Sequence, residues 1–345
     1  MYARIWAAGL LLGVMLFSPL RLIAEPAWVF PGLEINGVDD AARLNVERSI
    51  HPERYNCEDA DWQLQRLRRL AGRQTIKALQ ALGYYNSEID IKIERSETCW
   101  TLKLDVEPGE RVLVSDVSID ISGELEALPA MQIFLQNPPL QPAKRLNHAD
   151  YTRTKSEIQK LAVRYGFYDG VFTENTLEVN PAKNVATARL AFEAGPRRHF
   201  GEISIEQSEF DETLIQQYIL LKPGQPFDSN ELVKQQQILN ASGYFESVRV
   251  IVDHERVDAE NRVPVEIKLQ EIKQRVYRFG VGASTDTGPR LSFGYENRRL
   301  NRRGHQFSID GLMSPVHQEV TLDYGIPRGK AGAEHLDFQA GYLFE

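Results

Sequence analysis

The sequence predicts α+β repeats, three small β-α-α-β-β domains, followed by the first strands of an antiparallel transmembrane β-barrel. A Gly-aromatic-aromatic motif occurs three times, at Gly83, Gly166 and Gly243, each time between a helical pattern and a strand-like pattern. From residue 275 onward apolar and polar residues alternate with period two, and helical periodicity is absent. The predicted divisions are a signal peptide at 1–24, repeats at 25–110, 111–197 and 198–273, and a barrel segment at 274–345.

The N-terminal segment has the pattern of a secretory signal peptide. Arg4 precedes an apolar run over residues 5–17, and a short polar region ends at Ala24. That run is too short to cross a bilayer as a helix, which needs about 20 apolar residues. Cleavage after Ala24 is therefore expected, and an uncleaved membrane anchor is the alternative.

The cysteine content and the net charge restrict the possible partners. Cys57 and Cys99 are the two cysteines, and export places them in an oxidising compartment. We expect a disulfide between them, worth about 4 kcal/mol if unstrained; two buried thiols are the alternative. The net charge of −8 disfavours a nucleic-acid partner.

Each repeat contains the same five predicted elements in the same order. A strand comes first, within residues 28–37, 111–123 and 198–207, and a short helix follows at 39–49, 125–136 and 210–220. A turn-rich loop then ends in a residue suited to cap a second helix. These residues are Asp59, Asn147 and Asp228. The repeated glycine ends that helix in a left-handed conformation, and two strands complete the unit. Tyr244 and Phe245 are expected to fill the gap between helix and sheet.

The alternating segment predicts five strands with one apolar face and one polar or glycine-rich face. This is the period-two pattern of an outer-membrane barrel, in which apolar residues face lipid. A soluble β-sandwich is the alternative. Because a barrel of this kind needs at least about eight strands, we expect the remaining strands to lie beyond the given sequence.

The repeats and the alternating segment together resemble a known family. Three such units before a barrel resemble POTRA domains. Residues 278–309 (RFGVGASTDTGPRLSFGYENRRLNRRGHQFSI) resemble the opening hairpins of the outer-membrane assembly superfamily, above all at 284–290 and 301–305. The count of three units and the words LQALGYY and YGFYD are similar to the TamA family of translocation and assembly module subunits.

The resemblance implies an outer-membrane protein whose POTRA units lie in the periplasm. Such a protein helps to insert or translocate β-barrel proteins and autotransporters. The implied partners are a TamB-like periplasmic protein anchored in the inner membrane, unfolded outer-membrane proteins and autotransporters, and the lipid bilayer. Other classes remain open: a two-partner-type secretion pore for one dedicated exported protein, and a passive adhesion or anchoring barrel.

Three surfaces are candidate sites. The first is the strand after each glycine motif, at 87–94, 168–178 and 246–253, which the family places at a sheet edge where another strand can pair. Its apolar residues in the first and third units are Ile89, Ile91, Ile93, Val248, Val250 and Val252. Packing of these edges against neighbouring domains is the alternative.

The second surface is the first barrel strand, whose glycines are expected to weaken pairing where, in the family, it meets the last strand. Its residues are Phe279, Gly280, Val281 and Gly282. A lumen-facing glycine pattern is the alternative. The third surface is a basic turn expected at the periplasmic face, which could meet lipid phosphates or acidic residues of the third unit, or remain solvated. Its residues are Arg298, Arg299, Arg302 and Arg303.

No enzyme chemistry is expected from the sequence. The segment GASTD at 282–286 begins like a nucleophile elbow but has Asp286 where glycine is required. No HExxH, P-loop or CxxC motif is present, and the seven histidines are scattered. We expect neither a catalytic residue nor a metal site, and no cofactor.

Overall fold

A computed structural model of the chain describes residues 31–206, 209–285, 288–328 and 334–345. The predicted signal peptide at 1–24 and Asp286 lie outside the described residues. The described chain divides into two compact units, the first containing the first repeat up to Gly109 and the second beginning essentially at Glu110. Among the described residues, no helix is long and apolar enough to cross a membrane.

The first repeat is a three-stranded sheet with two helices. Its elements are β1 (Gly32–Asn36), α1 (Asp40–Ser49), a short 3₁₀ turn (Pro52–Arg54), α2 (Asp61–Ala81), β2 (Glu88–Arg95) and β3 (Trp100–Glu107). The strand order is β1-β3-β2, with β1 parallel and β2 antiparallel to the central β3. The core forms between the apolar face of β3 and the face of α2 that carries Leu64, Leu67 and Leu79.

The second and third repeats have the same topology. The second contains β4 (Leu113–Ser122), α3 (Pro129–Gln136), α4 (His148–Arg164), β5 (Val171–Asn180) and β6 (Val185–Glu193). The third contains β7 (His199–Glu206), α5 (Glu212–Gln217), α6 (Ser229–Ala241), β8 (Phe245–Val252) and β9 (Arg262–Glu271). The strand orders are β4-β6-β5 and β7-β9-β8, so the last strand of each repeat is central.

The helix-cap predictions have mixed outcomes. The side chains of Asn147 and Asp228 accept hydrogen bonds from the backbone two residues on, as expected for N-caps. Asp59 does not cap α2, and that prediction is wrong. Its carboxylate accepts from the backbone of Asn56 inside the preceding loop, and the Gln63 side chain instead accepts from the Ala60 backbone at the helix start.

The repeated glycines end their helices with positive φ, at +92° for Gly83, +89° for Gly166 and +76° for Gly243. The aromatic residues that follow differ in burial. Tyr244 and Phe245 are 1% and 5% exposed and lie in the third core, as predicted. In the second repeat only the first aromatic residue, Phe167, is fully buried in its own core.

The last region is a five-stranded antiparallel sheet in simple chain order. Its strands are β10 (Arg275–Ser284), β11 (Gly288–Asn297), β12 (Gln306–Met313), β13 (Gln318–Arg328) and β14 (Glu334–Phe344). The register aligns apolar residues across the sheet in rows. One such row contains Phe279, Phe293, Gly311, Val320 and Tyr342. Phe279 is 84% exposed. The predicted division into an apolar and a polar face is therefore present.

Candidate functional site

Each three-stranded sheet has the strand after the glycine motif at an edge. Within the described residues β2, β5 and β8 each pair with one strand, β3, β6 and β9 respectively. Their outer backbone groups are therefore available to an added strand. The structure thus places the candidate strands at sheet edges, and it places β1, β4 and β7 at the opposite edges.

The apolar side chains of these edge strands belong to their own domains. Val248 is buried, and Val250 and Val252 pack against the third core. In β2 the isoleucines Ile89, Ile91 and Ile93 are half-buried and alternate with exposed polar residues. What β2 and β8 offer to a partner is therefore mainly their backbone.

The three edges differ in regularity. The pairing of β2 with β3 runs over eight residues without a shift. The register of β5 shifts between Phe172 and Glu174, and that of β8 shifts between Phe245 and Ser247. Because bulges at an edge discourage further pairing, β2 is the edge best suited to accept a strand.

The glycines of β10 have a local packing role. A Cβ at Gly280 would lie 2.5 Å from Ser292 Oγ, and one at Gly282 would lie 3.0 Å from Arg290 Nε. Side chains of β11 therefore occupy the space over these glycines, and the β10–β11 register is continuous over ten pairs. The expected weak pairing concerns the seam with the last strand, on the other side of β10, and stays a prediction. Within the described residues the other side of β10 has no paired strand.

The basic turn between β11 and β12 contacts the third repeat. Arg299 Nη1 lies 2.8 Å from Glu271 Oε2, Nη2 lies 3.3 Å from Glu209 Oε2, and the guanidinium lies 5.6 Å from the Phe210 ring centre. Arg302 lies 3.4 Å from Asp211 Oδ1, and its carbonyl accepts the Asp211 backbone N–H. Among the alternatives predicted for this turn, the structure shows that these two arginines contact acidic residues of the third unit.

The other two arginines of the turn have different surroundings. Arg298 pairs with Glu296 of β11 at 2.8 Å, and its backbone N–H donates to the carbonyl of Gln274. The Arg303 side chain is exposed, and its backbone N–H donates to the Asn301 side chain. The four arginines therefore do not act as one surface.

A tyrosine that the sequence did not assign to this site completes the junction. The buried Tyr244 Oη donates a 2.7 Å hydrogen bond to the carbonyl of Gly304, and burial raises the pKa of this phenol. Gly304 has φ +76°, and a Cβ there would lie 2.7 Å from Leu214 and 2.8 Å from Tyr244 Oη. The glycine of the NRRGH segment is therefore required for this close approach.

The second glycine motif joins the second repeat to the third. A Cβ at Gly166 would lie 2.7 Å from Phe227 Cβ, and the Tyr168 ring packs edge-on against Phe227 and 4.3 Å from the ring of His254. Arg197 adds two hydrogen bonds, to the carbonyls of Tyr165 and Phe227. This junction, like the one at Gly304, is therefore held by close side-chain packing and by hydrogen bonds to backbone carbonyls.

The predicted disulfide between Cys57 and Cys99 is formed, with the Cα atoms 4.5 Å apart. It connects the loop before α2 to the start of the central strand β3. Beside it the buried Trp100 donates from Nε1 to the carbonyl of Asn56, and Tyr55 packs edge-on against its ring. The loop is thus fixed at two adjacent points.

Comparisons with known proteins agree with this architecture. Residues 32–108 match the family model described as POTRA domain TamA domain 1, and residues 199–272 match the model POTRA, surface antigen variable number repeat. BamA from Haemophilus ducreyi lacking POTRA domains 1–3 is similar in structure, with a TM-score of 0.53 and 14% identity, covering 67% of this chain and 43% of that chain. This similarity shows a shared fold of POTRA domains and barrel strands.

Two further structures are similar at lower scores. POTRA domains 3–5 of Haemophilus influenzae BamA give a TM-score of 0.38 and 16% identity, covering 70% of this chain and 96% of that chain. CdiB from Acinetobacter baumannii gives 0.40 and 12%, covering 67% and 44%. The chain spans less than half the length of the BamA chain from H. ducreyi.

Proposed function

We propose that this chain, a TamA-like, POTRA-containing outer-membrane protein whose POTRA domains lie in the periplasm, is a non-enzymatic assembly factor. It helps to insert or translocate β-barrel proteins and autotransporters. The observation that supports this role is a series of strand edges, β2, β5 and β8, in domains that precede a membrane sheet. Main-chain pairing at such edges accepts many sequences, as a factor with several clients requires.

The three edges and β10 have different parts in this proposal. β2 is regular and is assigned to a lasting contact with a TamB-like periplasmic partner. The edges β5 and β8 receive unfolded clients transiently, because their bulges limit how long a paired strand can become. The outer edge of β10, which the family resemblance places at a seam with the last barrel strand, receives a client hairpin before it enters the lipid.

The contacts between the third repeat and the β11–β12 turn support transfer of a client protein from that repeat to the membrane sheet. Arg299 and Tyr244 hold the third repeat against the turn that precedes β12. A client held at β8 therefore stays at a fixed distance from the membrane sheet, and a fixed distance lowers the entropic cost of the next pairing step.

A pair of proline substitutions in β2 tests the role of that edge. Successive residues of a strand direct their N–H groups to opposite sides, so Ile91→Pro and Lys92→Pro differ in which side loses a donor. One removes a bond to β3 and lowers the melting temperature. The other removes an outward N–H and leaves the fold nearly unchanged, because proline is tolerated on the outer side of an edge strand.

The two variants are introduced into cells depleted of the native protein. Surface delivery of an autotransporter and of a simple barrel protein is followed by pulse-chase, with heat-modifiability as the folding readout. The variant with an unchanged melting temperature is expected to slow delivery several-fold. Normal delivery by both variants would reject the β2 edge. If complete depletion stops one secreted protein and leaves all other deliveries normal, the protein is a dedicated secretion pore.

A further inference from the structure

The outer face of helix α2 in the first repeat carries positive charge without compensation. The helix buries Leu64, Leu67, Ala71, Thr75, Ala78 and Leu79 against its own sheet. At 100° per residue, the opposite side contains Trp62, Arg66, Arg69, Arg73 and Lys77 within an arc of about 80°. All five side chains are exposed, and Trp62 is 67% exposed. We call these five residues the cationic stripe.

The cations of the stripe differ from those of the equivalent helices. In α4, Arg153 pairs with Asp150 and Lys160 pairs with Glu157; in α6, Lys234 pairs with Glu231. Each of these acids lies three residues before its cation. Over the described part of the chain, no ion pair involves Arg66, Arg69, Arg73 or Lys77, and no acidic residue lies on their side of α2. Like charges at this spacing destabilise a helix slightly, so the fold does not require them.

The surfaces that flank the stripe are not basic. Helix α1 lies beside α2, and its Asn45 side chain donates a hydrogen bond to the Ala78 carbonyl. Helix α1 exposes two acids and two bases. These are Asp40, Arg43, Glu47 and Arg48. On the other side, Ile91 of β2 faces Gly72 of α2, so the exposed charges that alternate with it lie on the sheet face away from the helix. These are Glu88, Asp90, Lys92 and Glu94. The last residue of β2, Arg95, pairs with Asp61 of α2. The positive surface is therefore one helix wide in a chain whose net charge is −8.

We propose that the cationic stripe is a docking site for an acidic polypeptide segment of a periplasmic partner. The four cations extend over about 16 Å along the helix, a length that three turns of an acidic helix would match. Trp62 lies at one end, and the exposed Leu70 and Ile76 lie at the margins, where they can receive apolar side chains. A flat anionic bilayer fits less well, because it would also bring negative charge onto the exposed carboxylates of Asp40 and Glu47 on the neighbouring helix α1.

This inference is independent of the proposed assembly role and can be tested by direct binding. The full chain in detergent is titrated against a fluorescent 20-residue helical peptide with glutamates at i, i+4 spacing and leucines between them. The double variant Arg69→Gln/Arg73→Gln is compared with the matched variant Arg153→Gln/Lys160→Gln on α4. A peptide with glutamine in place of glutamate and vesicles containing phosphatidylglycerol are measured in parallel.

The expected result is salt-sensitive binding of the acidic peptide, about tenfold weaker in the Arg69/Arg73 variant and unchanged in the Arg153/Lys160 variant. Equal binding to wild type and the Arg69/Arg73 variant would overturn the proposal. An equal loss in both variants would assign the effect to general charge and would overturn it too. Stripe-dependent binding of the vesicles without binding of the peptide would identify a lipid surface instead.

Discussion

Tyr244 contributes both to the core of the third repeat and to the turn between β11 and β12. As the residue after Gly243 it fills the third core, where it packs against Phe210, and its hydroxyl reaches the turn between two membrane strands. The sequence identifies the first role because a Gly-aromatic motif at a helix end is a local signal. It does not identify the second role, because the acceptor, Gly304, is sixty residues away and is a backbone carbonyl.

Replacement of Tyr244 by phenylalanine is expected to weaken this junction. The ring stays in place, but the Gly304 carbonyl loses its donor in a buried site, at a cost of about 1–2 kcal/mol. Protease sensitivity at Arg302 and Arg303 should increase, and the melting temperature of the full chain should fall. Tyr151→Phe is the control, since its hydroxyl donates at an exposed site, to the Asn175 carbonyl. Equal effects of the two substitutions would show that the Tyr244 hydroxyl has no special role.

Whole elements were more predictable than their contacts. The strand β10 was predicted at 275–284 and spans Arg275–Ser284, because alternation of side chains is a property of the segment itself. Helix α5 was predicted over 210–220 and spans only Glu212–Gln217, since Phe210 is drawn into the core and under Arg299. The cap at Asp59 failed for a similar reason, because the preceding loop uses that carboxylate.

The candidate sites, too, were easier to locate in the sequence than their contacts were to predict. The pattern of the sequence located the edge strands and the basic turn, but not which arginines of the turn face the third repeat. Arg299 is selected by Glu209, Phe210 and Glu271, whose proximity arises only from the folded third repeat. The register shifts in β5 and β8, which β2 lacks, also have no counterpart in a local sequence pattern.

Loss of the disulfide is expected to destabilise the first repeat alone. Cys57 and Cys99 are 42 residues apart, and closing a loop of that size contributes about 2–4 kcal/mol. Substitution of both cysteines by serine should lower the urea midpoint of the first repeat, with fluorescence of the buried Trp100 as the readout. Reducing agent should have the same effect on the wild type and none on the variant. An unchanged midpoint in both tests would mean that Trp100 and Asn56 alone hold the loop.

At the scale of the whole molecule, the final sheet must present one face to lipid. Its apolar rows are highly exposed in the isolated chain, whereas the opposite face carries a charge network in which Arg278 bridges Glu296 and Asp310. That arrangement suits a sheet with hydrocarbon on one side and an aqueous interior on the other.

Two adjacent residues of β13 allow this orientation to be tested. Val320 belongs to the apolar row with Phe279, and Thr321 faces the other way, opposite Asp310 and Gly341. Val320→Lys places a charge in hydrocarbon, at a cost of about 2–4 kcal/mol near the bilayer midplane. Thr321→Lys places it near carboxylates in water and should cost little.

The measurement is the heat-modifiable fraction of each variant in isolated outer membranes, compared with wild type. We expect the Val320→Lys variant to be depleted strongly and the Thr321→Lys variant to stay near the wild-type level. The reverse order would mean that the charge network faces lipid, which the desolvation of Arg278 and its partners makes untenable for a stable sheet. Equal assembly of both variants would place β13 away from hydrocarbon.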